Sequence, residues 1–204
     1  VLQKLKQVGD AAQSMSYWVF TDIFEESAPR FTPFHGGFGM LNTQGINKPV
    51  FYAYQFLNRL GNVELENTDK MSWATKDSKG NIQVLAYDFT HTHPGDTVNN
   101  QVYYIRDLPS KEKGNLKINL TGVPAGNYSL EIYKVGYRCN DAYTTYYDLG
   151  RPNQLTKQQV EQIKKLNSGN PISGEIVKVK ADGVFTKELP IRENDVYFLN
   201  LIKL

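Results

Sequence analysis

The sequence predicts a mainly β protein: an antiparallel β-sandwich over 62–204, preceded over 1–61 by one βα unit that is incomplete as a fold on its own. Three observations predict it. Beyond Gly61, short alternating or apolar runs recur with turn residues between them, as in a sandwich. Before Gly61, two stretches with helical spacing enclose a short aromatic run and a long irregular segment, the period of a βα unit. Thr156 and Gln159 form a capping box that places one helix inside the strand-rich part.

In the first part, Val1, Leu2, Leu5 and Val8 fall at helical spacing and Gly9 follows as a stop. Ser14 to Phe20 is an apolar and aromatic run, read as a buried strand. Thr21 to Asn47 is irregular, with two Pro and four Gly. A loop of that length within a compact domain is functional or disordered, and Phe24, Phe31, Phe34 and Phe38 argue against disorder. Asn47 is expected to cap a helix that has Pro49 in its first turn and Ala53, Phe56, Leu57 and Leu60 as its apolar stripe. Gly61 ends it.

In the second part, Met71 to Thr75 and Ile82 to Phe89 flank Asp77-Ser-Lys-Gly-Asn81, a hairpin signal. Further strands are expected at Val102–Arg106, Leu116–Leu120, Tyr128–Val135, Ile176–Val179 and Val196–Ile202. The helix behind Thr156 turns Val160, Ile163 and Leu166 inward.

Composition narrows the function. Lys and Arg total 23 against 21 Asp and Glu, a net charge of +2 with no basic run, which disfavours a nucleic-acid partner. The single Cys139 cannot form an internal disulfide. No apolar run approaches the ~20 residues of a membrane span, so no membrane partner is expected. No secretory leader is visible, an absence of little weight, and the compartment is left open with a cytoplasmic location favoured. The chain opens at Val1, without Met and within a helical pattern, so its natural start is expected upstream. Aromatic residues make up 12% of the chain, which suits packed strands and also a sugar-binding surface.

Asp22, Glu25 and Glu26 follow Tyr17 and Trp18 in the strand-end loop. Aromatic planes stack on the C–H face of a pyranose, and carboxylates take hydroxyl hydrogens in charge-assisted bonds. A merely solvated acidic loop would have the same composition. His35-Gly-Gly37 could expose backbone N–H groups as an oxyanion hole does, but no Gly-x-Ser-x-Gly accompanies it. The glycines are better read as allowing a tight path with positive φ. His91-Thr-His93 has metal-ligand spacing without a third ligand nearby, so no metal and no cofactor are expected. Asn119-Leu-Thr121 and Asn127-Tyr-Ser129 match the glycosylation sequon, a triplet common by chance. A glycosidase needs two carboxylates on opposite sides of the scissile bond. Three on one loop do not supply that.

Three motifs in order, Ser16-Tyr-Trp-Val-Phe-Thr-Asp-Ile-Phe-Glu-Glu26, Pro33-Phe-His-Gly-Gly-Phe-Gly39 and Asn47-Lys-Pro49, closely resemble glycoside hydrolase family 39, the β-xylosidases. The likeness returns at Gly150-Arg-Pro152 and the Thr156 helix. It implies a retaining exo-β-xylosidase parent whose (β/α)₈ barrel carries an accessory β-sandwich. Residues 1–61 would be the last part of the barrel, with Ser14–Phe20 as its eighth strand, and 62–204 the sandwich. It further implies that Trp18 and Glu26, with Glu25 beside it, bind the non-reducing xylose. The family's acid/base and nucleophile both precede the point matched by Val1, so no catalytic residue is expected in this chain, and the chain alone is expected to be inactive. One βα unit leaves the edges of its strand unpaired, so 1–61 is expected to rest on the sandwich or on another copy, a possible homo-oligomer. The alternatives are a carbohydrate-binding sandwich with Tyr143, Tyr146 and Tyr147 as a loop-borne stacking platform, or a purely structural module.

Overall fold

Alternation beyond Gly61 becomes two antiparallel sheets in the computed structural model, which describes residues 1–23, 32–91 and 107–204. Strands β1 (Val63–Glu64), β2 (Ser72–Lys76), β3 (Ile82–Tyr87), β4 (Glu112–Leu120), β5 (Gly126–Val135), β6 (Ser173–Val179), β7 (Phe185–Arg192) and β8 (Val196–Lys203) are joined by few helices. One sheet has the order β1-β2-β3-β8-β5-β6, and β4 pairs with β7 in the other. The helices are α1 (Leu2–Val8), α2 (Pro49–Asn58), α3 (Ala142–Asp148) and α4 (Lys157–Leu166). Among the described residues no helix is long and apolar enough to cross a membrane.

The chain divides into two compact units, each assembled from separated segments. The first comprises Val1–Tyr54, Thr90–Pro109 and Val135–Ser168, and the second Gln55–Phe89, Ser110–Lys134 and Gly169–Leu204. The second unit holds both sheets. Ala74, Ile82, Val84, Leu130, Ile132, Leu199 and Leu201 of the larger sheet and Ile118, Phe185 and Leu189 of the smaller one share a single buried cluster. On β8 the alternation is visible residue by residue: Tyr197, Leu199 and Leu201 enter that cluster. Phe198 points the other way, where Phe56 of α2 and Tyr133 of β5 meet it at 5.5 and 5.8 Å between ring centroids. Arg59 lies over both Tyr133 and Phe198, 4.0 and 4.8 Å from their centroids.

The Asp77–Asn81 hairpin forms as its residues predict. Asp77 Oδ1 accepts from the N–H groups of Lys79 and Asn81, each at 2.9 Å, and Gly80 takes φ +84°. Gly61 is needed for space, since a Cβ there would fall against the backbone of Lys76 and 2.6 Å from Asp77 N. The capping box of α4 is present, with Thr156 Oγ1 accepting from Gln159 N and Gln159 Oε1 from Thr156 N.

Several expectations are corrected. Ser14–Phe20 is not a regular strand. Its only backbone pairing among the described residues starts at Val19, whose carbonyl accepts from Met40, and continues through Phe20 and Asp22 with Leu41. A strand needs a neighbour along its length, and here the ladder is three bonds long. Helix α2 starts at Pro49, so Lys48 rather than Asn47 flanks it, and its last turn relaxes into Arg59 N–Phe56 O and Leu60 N–Leu57 O bonds. Leu166 is exposed instead of inward. Strands β1 and β7 were not anticipated, nor was α3, which occupies the segment expected as a loop. The strand expected at Val102–Arg106 lies outside the described residues.

Candidate functional site

The site is built on the first unit, where two short segments are fastened side by side. Thr21 and Leu41 form a parallel bridge, and Asp22 N donates to Leu41 O at 2.9 Å. The Asp22 side chain, fully shielded from solvent, then ties the second segment down. Its Oδ1 accepts from Gly39 N at 2.7 Å and from Lys48 Nζ at 2.6 Å. Lys48 Nζ also donates to Gly37 O at 2.9 Å, and Lys48 N to Met40 O at 2.8 Å. The glycines of His35-Gly-Gly-Phe-Gly39 have separate reasons. Gly36 needs its φ of +80°. Gly37 must lack a Cβ because one would lie 2.5 Å from Asp22 Oδ1 and 2.7 Å from His35 Cε1. At Gly39 a Cβ would strike the Thr21–Asp22 backbone. The Gly39 N–H is therefore committed to a carboxylate and does not serve an oxyanion hole.

Burial removes Asp22 from the candidate sugar carboxylates, since a group without solvent access and already in an ion pair cannot take hydroxyl hydrogens from outside. Asp22 Oδ2 and His35 Nε2 are both buried without a hydrogen-bond partner among the described residues. Trp18 is 69% exposed, and Phe20, Ile23 and Phe38 are exposed as well. The Trp18–Val19 peptide is cis. Tyr17 packs edge-on against Tyr54 at 5.7 Å, and burial, with help from Tyr54 and Asp22, pushes its phenol above the usual range. Glu25 and Glu26 lie outside the described residues, as does His93 of the His91-Thr-His93 pair.

The far end of the loop is held by Asn42. Its Oδ1 accepts from Gln44 N and Ile46 N, and its Nδ2 donates to Pro33 O. Phe34 packs into a cluster with Ala142, Tyr146, Leu155, Val160 and Ile163. Tyr146 is 4% exposed and donates to Pro152 O at 3.0 Å, while Tyr143 lies 6.3 Å from the Phe34 ring. The segment expected as an open stacking loop is thus a helix whose central tyrosine is core. Asp141 caps it by accepting from Thr144 N, and burial raises the Asp141 carboxyl above its ordinary value despite those hydrogen bonds. Sequence reasoning missed the Asp22–Lys48 pair. Its only local trace was the run of glycines that makes room for it.

With that geometry in place, comparison with known proteins is direct. The model for glycosyl hydrolases family 39 matches residues 1–186. The chain belongs to that family. A β-xylosidase of Caldicellulosiruptor saccharolyticus is 31% identical over 156 residues, which are 74% of this chain and 28% of that protein. One from Geobacillus stearothermophilus is 27% identical over 199 residues, 97% of this chain and 35% of the relative. Among solved structures, a family 39 enzyme from Xanthomonas axonopodis pv. citri superposes with a TM-score of 0.90 at 39% identity, over all of this chain and 40% of that one. A monomeric β-xylosidase from Caulobacter crescentus CB15 matches at 0.90 and 37%, with the same coverage. The chain spans well under half the length of the curated relatives it matches.

Proposed function

We propose that this chain is the C-terminal portion of a retaining exo-β-xylosidase that releases xylose from the non-reducing end of β-1,4-xylosides. Residues 1–61 would complete a catalytic barrel and 62–204 would form its accessory sandwich. In this reading Trp18, Glu26 and Glu25 contribute to the xylose subsite. The acid/base and the nucleophile, which retention requires about 5–5.5 Å apart, come from the segment preceding Val1. The observation that carries the reading is the family match over residues 1–186. The exposed indole of Trp18 on a firmly held segment supports it, because a sugar platform must be both open and fixed. The carbohydrate-binding alternative on Tyr143, Tyr146 and Tyr147 loses its support with the burial of Tyr146.

The test is hydrolysis of an aryl β-xyloside by the protein extended upstream of Val1 and by this chain alone. The extended protein is expected to be active and the chain alone silent. Glu26→Ala in the extended protein should lower kcat about 10²-fold or more if two hydrogen bonds of about 1.5–3 kcal/mol each strengthen in the transition state. An extended protein inert on β-xylosides, or a chain active by itself, would overturn the reading.

A further inference from the structure

The Asp22–Lys48 pair is more than a fold contact. Its members stand 26 residues apart in sequence, yet besides bonding each other both reach one short stretch, Gly37 to Leu41, with their backbone N–H groups and their side chains. Asp22 bonds that stretch through its backbone N–H and through Oδ1, and Lys48 through its backbone N–H and its ammonium. The stretch in turn donates to Val19 O, the residue that follows Trp18, with Met40 N at 3.1 Å. Trp18 itself is 69% exposed and adjoins the residue that this bond holds.

We infer that Asp22 and Lys48 are positioning residues that fix the Trp18 platform. The inference rests on the xyloside reading above. Two features make the pair suited to this. The Asp22 side chain is fully shielded and that of Lys48 is 15% exposed, so their attraction is little screened by water or salt. Gly37 and Gly39 are shaped around Asp22, so the carboxylate cannot shift without moving the stretch that holds Val19. Asp22→Asn is a sharp probe. An amide in this place keeps one acceptor for two donors and loses the charge that holds the ammonium.

The measurement is kcat and KM on an aryl β-xyloside, in the protein extended upstream of Val1, at temperatures well below each variant's melting point. Asp22→Asn and Lys48→Met should each lower kcat/KM about tenfold or more, since displacing a positioning group by about 1 Å can cost 10²-fold. Lys48→Arg should restore most of it, and the double variant should be no worse than the worse single one. A second readout uses this chain as it is. In a Trp73→Phe background Trp18 is the only tryptophan, and Lys48→Met should lower its fluorescence anisotropy. Folded Lys48→Met protein with unchanged kcat/KM and unchanged anisotropy would overturn the inference, and so would a loss confined to melting temperature. If the wild-type extended protein does not cleave xylosides, the functional reading fails. The anisotropy then still decides whether the pair orients Trp18.

Discussion

Phe56 of α2 and Phe198 of β8 lie nearly parallel, 17° between ring planes and 5.5 Å between centroids, and neither has any exposed surface. This pair seals the face of the larger sheet that turns away from the shared core. Phe56→Ala should therefore cost about 3–5 kcal/mol, the range for emptying a buried aromatic site. The denaturant midpoint of the second unit, followed through amide exchange of β8, checks this.

Lys134 and Asp195 form a second sensitive pair, 2.8 Å apart, with the Asp195 side chain fully buried and also accepting from Arg192 N. Lys134→Met should destabilise by about 3–5 kcal/mol, because an unpaired buried carboxylate remains. Burial lowers the Lys134 pKa, but Asp195 and Tyr197 outweigh it, and the net shift is upward from 10.5. A raised lysine pKa contributes stability that is complete below the unfolded value and lost as pH rises through the folded one. Wild-type stability should fall above pH ~10.5 more steeply than that of Lys134→Met, as measured by urea titrations at successive pH values.

The capping box of α4 has a simpler consequence. Thr156→Ala removes the acceptor for Gln159 N and should cost about 1 kcal/mol. Thr156→Ser should cost much less. Thermal melts of the three proteins give the order directly.

Trp18→Ala tests the platform in the protein extended upstream of Val1. Loss of the exposed ring should lower kcat/KM for xylosides about tenfold, roughly 1.4 kcal/mol, while leaving the melting temperature within error of wild type. A large loss of stability instead would mark Trp18 as a packing residue.

Much of the chain beyond Gly61 was legible because its signals are local. Asp77 and Gly80 write the hairpin within five residues, and Thr156 with Gln159 writes the start of α4. Strand β7 escaped because Phe-Thr-Lys-Glu-Leu-Pro-Ile-Arg carries charges and Pro190. That proline is tolerated near an irregularity in register, where it faces Asn115 of β4, and its carbonyl accepts from Tyr197 at 2.7 Å. Helix α3 escaped because Thr and Tyr are indifferent helix formers. Its stability comes from the Asp141 cap and from packing Ala142 and Tyr146 against Phe34, a residue over 100 positions earlier. At the candidate site, the exposure of Trp18 and Phe20 runs against the buried strand that their residue types predict. The withdrawal of Asp22 into an ion pair depends on Lys48, and no short-range pattern reveals a partner 26 residues away.

The space around Gly37 has a consequence for how this site can vary. The volume a Cβ would occupy there is taken first by the Asp22 carboxylate and then by His35 Cε1, so positions 22 and 37 share one steric choice. Gly37→Ala alone should be refused by the fold, whereas shortening residue 22 removes the nearer clash and leaves the His35 ring, 2.7 Å away at Cε1, to swing aside. Asp22→Ala is then expected to act as a second-site suppressor of Gly37→Ala. The two positions should drift together, not independently, wherever this loop is rebuilt.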